Sequence, residues 1–419
     1  MTKIAIIGGG ASGLFAAINI LEVGNDVSVT IFERMNRVGK KILATGNGRC
    51  NITNEFASDI CENGFPKYFH GENSKFANYS LTKFSQNDLI DYFSKNGVMF
   101  RQENDKFYPF SEQAGTVLDF LRLKCEMLGV NFILDTEVNQ IVKKNNGFVV
   151  NNSFFDKVIV ACGGKSSPHL GSNGTGYALL EKLGHKTTKL YPAITQIKTE
   201  TEFVKQLKGI KADANCSIFV DNSIIREEFG QVLFADYGLS GPPIFQLSRV
   251  AAMNYENACF VSLDFMKDKS INEIYDVLKS IIDSPFTYPL TCENLLSLVL
   301  NKRLGQVIVK YSGLSLNQDV YALTDEDLLT ICKSIKQFKL NVKGVNGFQN
   351  AQVTAGGIKT NDFDDKTMES KLIKNLYACG EILDIDGDCG GFNLQWAFSS
   401  GFIAANSAVG NALWLKLTM

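Results

Sequence analysis

The sequence is poor in the patterns that build metal sites and redox-active dithiols. Its ten cysteines are scattered without any C-x-x-C spacing, which removes the usual zinc spacing and the common dithiol motif. The three histidines, His70, His169 and His185, are far apart along the chain, so a metal site built from histidines is not expected. No run of eighteen or more apolar residues occurs, so no membrane-spanning helix is expected.

An excess of charge of one sign is also missing. The 42 basic and 44 acidic side chains leave a net charge of −2, which gives no reason to expect nucleic acid or an acidic membrane surface as a partner. The N-terminus lacks a signal-peptide layout, because its apolar run begins at the fourth residue and is broken by glycines; we expect a cytoplasmic protein. A length of 419 residues and a hydrophobic content of 45% suit a globular protein of two or three domains.

The first thirty-three residues carry the clearest motif. It consists of an apolar run at residues 4–7, the glycines Gly8, Gly10 and Gly13, an apolar pattern at 14–21, a second apolar run at 27–32, and Glu33. This order predicts strand, glycine turn, helix and strand, the arrangement that places a dinucleotide's phosphates at a helix N-terminus and its ribose hydroxyls at the acid. A glycine-rich turn without a ligand is the alternative, and the agreement of all four parts disfavours it.

A basic loop follows the acid, at residues 34–54. Its glycines and asparagines at positions 46–48 and 51 favour turns and positive φ, so neither helix nor strand is expected there. The loop is either a solvated connection or a basic wrap around the diphosphate and the flavin end of a cofactor. Its place directly after Glu33 favours the wrap.

The next segment reads as mixed helix and strand. We expect helices at residues 85–97 and 111–128, strands at 132–134, 137–143, 147–151 and 158–161, and a glycine turn at 171–176 before a further helix. The buried strand at 158–161 ends in glycines, where a second segment can meet the cofactor at the carboxyl edge of the sheet. The turn at 171–176 lacks the dinucleotide spacing, and we interpret it as a packing turn.

From residue 191 to about 340 the pattern indicates an inserted unit. Short apolar runs at 193–198, 216–220, 231–234 and 259–263 favour strands, and residues 270–336 have helical spacing. Residues 233–249 combine glycines and prolines at a strand-to-helix junction. Tyr237 and Ser240 either belong to a simple domain connection or face an active site.

The last part returns to the first pattern. A short apolar strand at 376–378 runs into Gly380 and Glu381, and a second glycine cluster ending at Gly391 precedes a helix of small residues from about 393 to 408. A glycine turn before a helix presents free backbone N–H groups.

Six blocks in this order resemble the BaiN-like bacterial flavoproteins, a family with names such as aminoacetone oxidase and 3-dehydro-bile-acid reductase, within the glutathione-reductase-like FAD fold. They are GGGASGL at Gly8, GKKILATGNGRCNITN at Gly39, VIVACGG at Val158, LFADYGLSGP at Leu233, TMESK at Thr367 and GEILDIDGDCGGFNLQWAFSSG at Gly380. The family's A-T-G triplet is Ala161-Cys162-Gly163 here.

The resemblance implies an α/β fold with a Rossmann-like FAD-binding domain made of both chain ends. The expected domains are residues 1–190 with 345–419 for FAD, 191–265 with 337–344 for an inserted β-barrel-like domain, and 266–336 for a small helical insert. A substrate pocket is expected between the cofactor domain and the inserted domain.

The resemblance also implies roles for individual residues in binding FAD. Gly8, Gly10, Ser12 and Gly13 would hold the pyrophosphate, Glu33 the adenosine ribose, Arg34 the adenine side, and Val138 the adenine edge. The flavin side would be lined by Lys41, Thr45, Gly48, Arg49, Cys50 and Asn51, with Ala161 and Gly163 at the second strand end. Gly380 and Glu381 would lie by the ribityl chain, and Gly391, Asn393, Leu394 and Gln395 at the pyrimidine ring.

The expected activity is FAD-dependent redox chemistry, with hydride or electrons passing through flavin N5 to or from a small organic substrate. Because the sequence has one dinucleotide fingerprint, NAD(P)H is expected at most as a transient donor, and an amine substrate with oxygen as acceptor is the other possibility. Tyr237 is a candidate proton donor and Cys50 a candidate reactive thiol. A flavin-binding redox sensor or partner-binding protein without turnover is the alternative from another class. Oligomeric state is left open.

Overall fold

The computed structural model describes residues 1–284 and 290–410. The chain divides into two compact units, Met1–Tyr191 with Ala351–Met419, and Pro192–Asn350. Residues 285–289 of the expected helical insert and 411–419 of the expected FAD domain lie outside the described residues. The three-domain division expected from the sequence stays a prediction.

The strands and helices are numbered in chain order. The strands are β1 (Thr2–Ile7), β2 (Val27–Phe32), β3 (Thr53–Asn54), β4 (Phe69–His70), β5 (Phe100–Glu103), β6 (Lys106–Pro109), β7 (Asn131–Ile133), β8 (Ile141–Lys144), β9 (Gly147–Val150), β10 (Ser153–Phe155), β11 (Lys157–Val160), β12 (Tyr191–Ala193), β13 (Ile197–Thr199), β14 (Lys211–Val220), β15 (Ser223–Ala235), β16 (Gly238–Ser240), β17 (Cys259–Asp264), β18 (Phe338–Val345), β19 (Val353–Ala355), β20 (Leu376–Ala378) and β21 (Asp386–Gly387). The α-helices are α1 (Ala11–Val23), α2 (Lys40–Ala44), α3 (Ala77–Lys83), α4 (Gln86–Lys95), α5 (Ala114–Met127), α6 (Thr175–Glu181), α7 (Pro242–Asn254), α8 (Ile271–Ile282), α9 (Cys292–Ser297), α10 (Lys302–Tyr311), α11 (Asp325–Lys336) and α12 (Phe392–Ala408).

The first unit is built on a five-stranded parallel sheet with the order β20-β11-β1-β2-β7. Strand β1 is central, and residues 4–6 are fully buried, as a strand covered on both faces requires. The apolar run at residues 4–7 therefore correctly predicted a strand that is buried on both faces of the sheet. The sheet also joins β20, from the C-terminal part of the chain, to four strands from the N-terminal part, with β20 at the edge beside β11.

Helices α1 and α12 pack against each other in the first unit. A Cβ atom on Gly401 of α12 would lie 2.8 Å from the carbonyl oxygen of Ser12 in α1, so glycine is needed for this close approach. Phe15 of α1 packs edge-on against Phe398 of α12, with ring centroids 5.2 Å apart. The small residues expected in the last helix thus have a packing role.

The basic loop, where neither helix nor strand was expected, contains the short helix α2 and the strand β3, since the glycines and asparagines follow α2 and precede β3. Several element boundaries in the first unit also differ from the sequence expectation, two of them by three residues or more. Helix α5 begins at Ala114 and not at residue 111, because Glu112 has a positive φ of 55° and Gln113 is extended. Strand β8 begins at Ile141 and not at residue 137, since the preceding segment turns through Asp135 (φ 49°) and pairs its Thr136 N–H with the carbonyl of Glu33. Helix α4 has the expected Ser85–Asp88 capping box.

The second unit contains a closed six-stranded barrel with the order β13-β16-β15-β14-β17-β18. Its strands β14 and β15 are longer than the runs predicted, because the two strands pair with each other well beyond those runs, through many exposed residues, both polar and apolar. The helices α8 to α11 share one hydrophobic core with the barrel. On α8 the expected helical spacing buries Ile274, Leu278 and Ile282 and leaves Val277 45% exposed.

Within the described residues, no helix is both long and apolar enough to cross a membrane.

Candidate cofactor site

Three strand ends meet at the carboxyl edge of the parallel sheet. Gly8 follows β1 with a φ of +107°, and a Cβ atom there would collide with the carbonyl oxygen of Ala161, which follows β11. Gly380 follows β20 with a φ of +77°, and its Cβ would lie 2.6 Å from the hydroxyl of Ser12. The N-terminal and C-terminal glycine turns therefore border the same place, where open α/β sheets bind their ligands.

The N-terminus of α1 lies at this edge. Its N-cap is Gly10, no side chain caps the helix, and a Cβ atom on Gly10 would meet no described atom within 4 Å. A Cβ atom on Gly13 would collide with the carbonyl oxygen of Gly8, so the third glycine is needed for the helix to pack against the turn. Free N–H groups facing open space, with the helix dipole behind them, suit an anion such as a pyrophosphate.

Glu33 ends β2 beside the glycine turn. Its Oε2 accepts a hydrogen bond from the N–H of Gly9 at 2.9 Å, and its Oε1 accepts one from the N–H of Met35 at 2.8 Å. These two bonds hold the carboxylate in one orientation next to the predicted pyrophosphate site. Each oxygen retains a second lone pair, which can accept a hydrogen bond from a ribose hydroxyl.

A second turn, which the sequence analysis interpreted as packing, also reaches this acid. A Cβ atom on Gly171 would lie 3.8 Å from Oε1 of Glu33, and the Arg34 guanidinium donates to the carbonyl of Gly171 at 3.4 Å. Arg34 Nε also lies 3.8 Å from Oε1 of Glu137, and Glu137 directly precedes the buried Val138 in the sequence. Arg34, Val138 and the Gly171 turn thus surround the end of the site predicted to hold the adenosine.

An ion pair joins the basic loop to the C-terminal glycine turn. Lys41 Nζ lies 2.6 Å from Oε2 of Glu381, and the two side chains are 25% and 18% exposed. The other oxygen of Glu381 accepts the N–H of Thr354 at 2.9 Å. The two residues are 340 positions apart, so a positive charge of the basic loop is neutralised by an acid from the C-terminal part of the chain.

The loop at residues 45–51 has an unusual backbone. Gly46, Asn47 and Cys50 have φ near +55°, and Gly48 has φ +87°. A Cβ atom on Gly48 would meet no described atom within 4 Å. The Thr45 hydroxyl donates to the carbonyl of Ile42 at 2.6 Å, which ties the loop to helix α2. Residues with such sparsely populated backbone angles occur frequently at ligand-binding sites.

Two predicted side chains of this loop are engaged within the protein. Cys50 is fully buried, and burial raises the pKa of its thiol to about 11, which keeps it protonated and unreactive at neutral pH. The Arg49 guanidinium lies 4.2 Å from the ring centre of Tyr108 and pairs with Glu103 at 2.7 Å and Glu112 at 3.4 Å. Its charge is thereby compensated within the protein.

The N-terminus of α12 begins with Gly391, whose φ is +104° and whose Cβ would lie 2.5 Å from the backbone of Thr53. Asn393 Oδ1 accepts the N–H of Gly387 at 2.8 Å and fixes the preceding turn. Gln395 is fully buried, accepting from the hydroxyl of Thr53 and donating to the carbonyl of Phe84. Asn393 and Leu394 can therefore offer a ligand their backbone N–H groups, whereas the N–H of Gln395 already donates to the carbonyl of Gly391; the Asn393 and Gln395 side chains shape the helix start.

Sequence reasoning missed several residues that border this site. The indole of Trp396 donates to the carbonyl of Gly380 at 3.0 Å. The hydroxyl of Tyr177 in α6 is buried without a hydrogen-bond partner among the described residues, and burial together with the charge of Glu381 raises its pKa well above the ordinary value. Neither contact has a local sequence signal, because both depend on side chains brought together from distant parts of the chain.

A histidine–aspartate pair lies beside the turn that leads into α12. His70 Nε2 is 2.8 Å from Oδ1 of Asp388, which is 8% exposed, and β4 with His70 pairs with β21. When Nε2–H donates to the carboxylate, this bond orients the partly exposed ring and fixes its tautomer. No local pattern connects these two residues, which are 318 positions apart.

Tyr237 belongs to the second unit, in the turn between β15 and β16. Its carbonyl accepts the N–H of Thr199 at 3.1 Å. Burial raises the pKa of its phenol above the usual value, opposed by a hydrogen bond with Asn346. Ser240 ends β16, directly before α7. All the other predicted site residues lie in the first unit.

The first unit fits a bound FAD by observations of its own. The open space in front of Gly10 and Gly48 leaves room for a ligand beside the first glycine turn and beside the basic loop. Two buried polar atoms, the hydroxyl of Tyr177 and Oδ1 of Asn51, have no hydrogen-bond partner among the described residues. Such atoms are uncommon in folded proteins and commonly indicate a missing partner.

Comparison with known proteins agrees with this description. The model of the HI0933-like protein Rossmann domain matches residues 2–407. The 3-dehydro-bile acid delta(4,6)-reductase of Clostridium scindens is 36% identical over 97% of this chain and 99% of its own length. The ribosomal RNA dihydrouridine synthase of Escherichia coli K12 is 27% identical over 96% of this chain and 97% of its own length.

Among solved structures, the 3-ketosteroid delta1-dehydrogenase of Sterolibacterium denitrificans is similar in fold. The likeness has a TM-score of 0.50 at 11% identity and covers 98% of this chain and 100% of that chain. The Rossmann-like FAD-binding fold expected from the sequence is confirmed by the family match and this neighbour.

Proposed function

This chain belongs to the HI0933-like Rossmann family of FAD-dependent oxidoreductases, and we propose that it reduces a carbon–carbon double bond conjugated to a carbonyl group in a small organic molecule. The observation that carries the proposal is the 36% identity, over almost the full length of both chains, to a reductase of 3-dehydro-bile acids. Family membership and this named relative identify the chain as an enzyme, which disfavours the sensor without turnover.

The names of the two reported relatives describe one type of chemistry. One reduces double bonds in a 3-oxo bile acid, and the other forms dihydrouridine, so each name describes the addition of two hydrogens to a carbon–carbon double bond. A carbonyl group in conjugation polarises such a bond, which makes one carbon ready to accept hydride and its neighbour ready to accept a proton. The substrate class that we propose follows from this shared chemistry.

FAD supplies hydride transfer to the electron-poor carbon when it is bound in its reduced form. The residues of the chain bind and orient the reactants. The N-terminus of α1 with Gly10 suits the pyrophosphate, Glu33 the adenosine ribose, and the Lys41–Glu381 pair the middle of the cofactor. The N-terminus of α12 at Gly391 faces the flavin pyrimidine in this proposal and favours the negative charge that reduction adds there.

A proton must reach the second carbon of the double bond. We propose two candidate proton donors for this step, His70, whose ring is held by Asp388, and Tyr237. Each side chain is partly accessible and is of a type that can donate a proton. Cys50 is the poorest of the candidates, since its buried thiol holds its proton up to a pKa of about 11.

The hydride comes, in this proposal, from NAD(P)H that binds transiently. The sequence has a single G-x-G-x-x-G fingerprint, and in the structure it precedes α1 at the FAD site. Overall, NAD(P)H, one proton and the double bond give NAD(P)⁺ and the saturated product. A small molecule is preferred to RNA as substrate because the net charge of −2 provides no general attraction for phosphates.

Anaerobic stopped-flow mixing tests the donor and the substrate separately. We expect NADH or NADPH to bleach the flavin absorbance, and a 3-oxo-4-ene steroid acid to restore it with formation of the saturated product. Bleaching by aminoacetone and reoxidation by oxygen would instead favour the amine oxidase. Reoxidation by ribosomal RNA without any effect of the steroid acid would refute the small-molecule substrate, and no bleaching by either nucleotide would refute the donor.

A further inference from the structure

We propose that the side-chain amide of Asn51 binds the imide edge of the flavin, with its Oδ1 accepting the hydrogen of flavin N3. The inference depends on the proposed function only in requiring bound FAD. It assigns one atom of the basic loop to one atom of the cofactor, and so goes beyond a general place for the loop along the flavin.

The first observation is the state of the amide itself. Asn51 is 8% exposed, and its Oδ1 is buried without a hydrogen-bond partner among residues 1–284 and 290–410. A buried acceptor without a donor costs free energy, so native proteins retain one mainly where a ligand or water completes it. The atom thus indicates that a donor comes from outside the described chain.

The second observation is how firmly Asn51 is placed. Cys50 before it is in the left-handed region with φ 57°, and its N–H donates to the carbonyl of Thr45. Ile52 after it donates to the carbonyl of Phe107 on β6. A Cβ atom on Gly46 would lie 2.8 Å from the N of Asn51, so the turn folds tightly over this residue. Backbone held on both sides gives the amide a fixed position.

The third observation places Asn51 near the start of α12. Thr53, two residues further on, has its backbone within 2.5 Å of the position of a Cβ atom on Gly391. Its hydroxyl donates to Gln395 at 2.6 Å, and Asn54 donates to the carbonyl of Gly390 at 3.0 Å. The segment after Asn51 therefore lies along the helix N-terminus.

The chemistry of the flavin edge then selects the role. The pyrimidine ring presents two carbonyl oxygens, which accept, and the single N3–H, which donates. Backbone N–H groups at the start of α12 can serve the carbonyl oxygens but not N3–H, which requires an acceptor.

Among the side chains of the loop, Asn51 suits the acceptor role best. Arg49 has no acceptor atom, the thiol of Cys50 is a weak acceptor, and the Thr45 hydroxyl, whose oxygen can still accept, is held by the bond that it donates to Ile42. The amide oxygen of Asn51 is buried, has no donor among residues 1–284 and 290–410, and carries no charge that would oppose reduction of the flavin.

The test measures FAD binding and needs no substrate. Apoprotein of the full chain is titrated with FAD and with FAD methylated at N3, following the quenching of flavin fluorescence, for wild type, Asn51→Ala and Asn51→Asp. Asn145→Ala is the matched control, because Asn145 lies exposed in the turn between β8 and β9. We expect Asn51→Ala to weaken FAD binding by about tenfold to a hundredfold, and Asn145→Ala to leave it unchanged.

The methylated cofactor separates a hydrogen bond from a general structural effect. N3-methylation should weaken binding to wild type strongly and to Asn51→Ala much less, since the bond is already absent and the smaller side chain admits the methyl group. Asn51→Asp should bind oxidised FAD and lower its two-electron midpoint potential, because a negative charge then opposes the reduced flavin. Each tenfold weakening of the binding of reduced FAD relative to oxidised FAD lowers this potential by about 30 mV.

Each outcome decides the inference. Equal penalties for N3-methylation in wild type and Asn51→Ala would overturn the assignment while leaving FAD as the cofactor. Wild type that binds no FAD would overturn both this inference and the proposed function. If Asn51→Ala fails to fold, the methylation penalty in wild type and the potential of Asn51→Asp still decide, and no change in either refutes the assignment.

Discussion

Breaking the ion pair between Lys41 and Glu381 should destabilise the first unit and weaken its hold on FAD. The pair has an N–O distance of 2.6 Å, and its side chains are 25% and 18% exposed. It connects the basic loop to the C-terminal glycine turn, and Glu381 is also bound by the N–H of Thr354. Removing one charge leaves the other partly buried without its partner.

The expected size follows from this environment. Exposed ion pairs contribute about 0–1 kcal/mol, whereas a hydrogen bond to a charged group contributes about 1.5–3 kcal/mol. Because both side chains are mostly buried, we expect Lys41→Met or Glu381→Gln to lower the free energy of unfolding by about 2 kcal/mol. The double variant should lose less than the sum, with a coupling of about 1–2 kcal/mol.

The assay is urea unfolding of the apoprotein followed by tryptophan fluorescence. Trp396 donates to the carbonyl of Gly380, next to Glu381, so it reports on this part of the molecule. A Trp414→Phe background leaves it as the single tryptophan, since the chain has two. Asp264→Asn is the control, because it removes a pair of similar burial and length with Lys336 in the second unit.

The two variants of the pair should also release FAD more readily, and the control should not. Additive effects of Lys41→Met and Glu381→Gln would show that the two charges do not interact. Unchanged FAD retention in both would refute the proposal that the pair lies beside the middle of the cofactor.

Three further predictions concern single residues of the same unit. Gly391→Ala should prevent normal FAD binding, because φ is +104° and the new Cβ would lie 2.5 Å from a neighbouring backbone. The control Gly97→Ala should leave FAD binding unchanged, since Gly97 has φ +91° but its Cβ would meet no described atom within 4 Å. Equal FAD occupancy in the two variants would contradict this prediction. Glu33→Arg should lower FAD retention by about tenfold or more, since it removes the acceptor of the ribose hydroxyls, and unchanged occupancy after gel filtration would refute the assignment. The thiol of Cys50 has a pKa of about 11 against 9.0 for an ordinary thiol. The folded state therefore keeps this proton where the unfolded state loses it, and stability should fall by about 2 kcal/mol as the pH rises from 9 to 11, less so in Cys50→Ala.

Local patterns predicted much of the first unit. The apolar run at residues 4–7 became the buried central strand, the capping box at Ser85 began α4, and the glycine turn at Gly391 preceded α12. These features depend on residues within a few positions of each other, which is why spacing alone indicates them. The start of α5 was wrong because a positive φ at Glu112 has no strong sequence signal.

The sequence by itself determined the strand–turn–helix motif, the kind of cofactor and the family. Only the tertiary structure decided that Lys41 meets Glu381, that His70 meets Asp388, and that the buried acceptor of Asn51 has no donor within the described part of the chain. The physical reason is separation along the chain: the two pairs join residues more than 300 positions apart, and burial depends on everything that packs around an atom. Periodicity describes how one element faces its neighbours, whereas these contacts depend on how the whole chain closes.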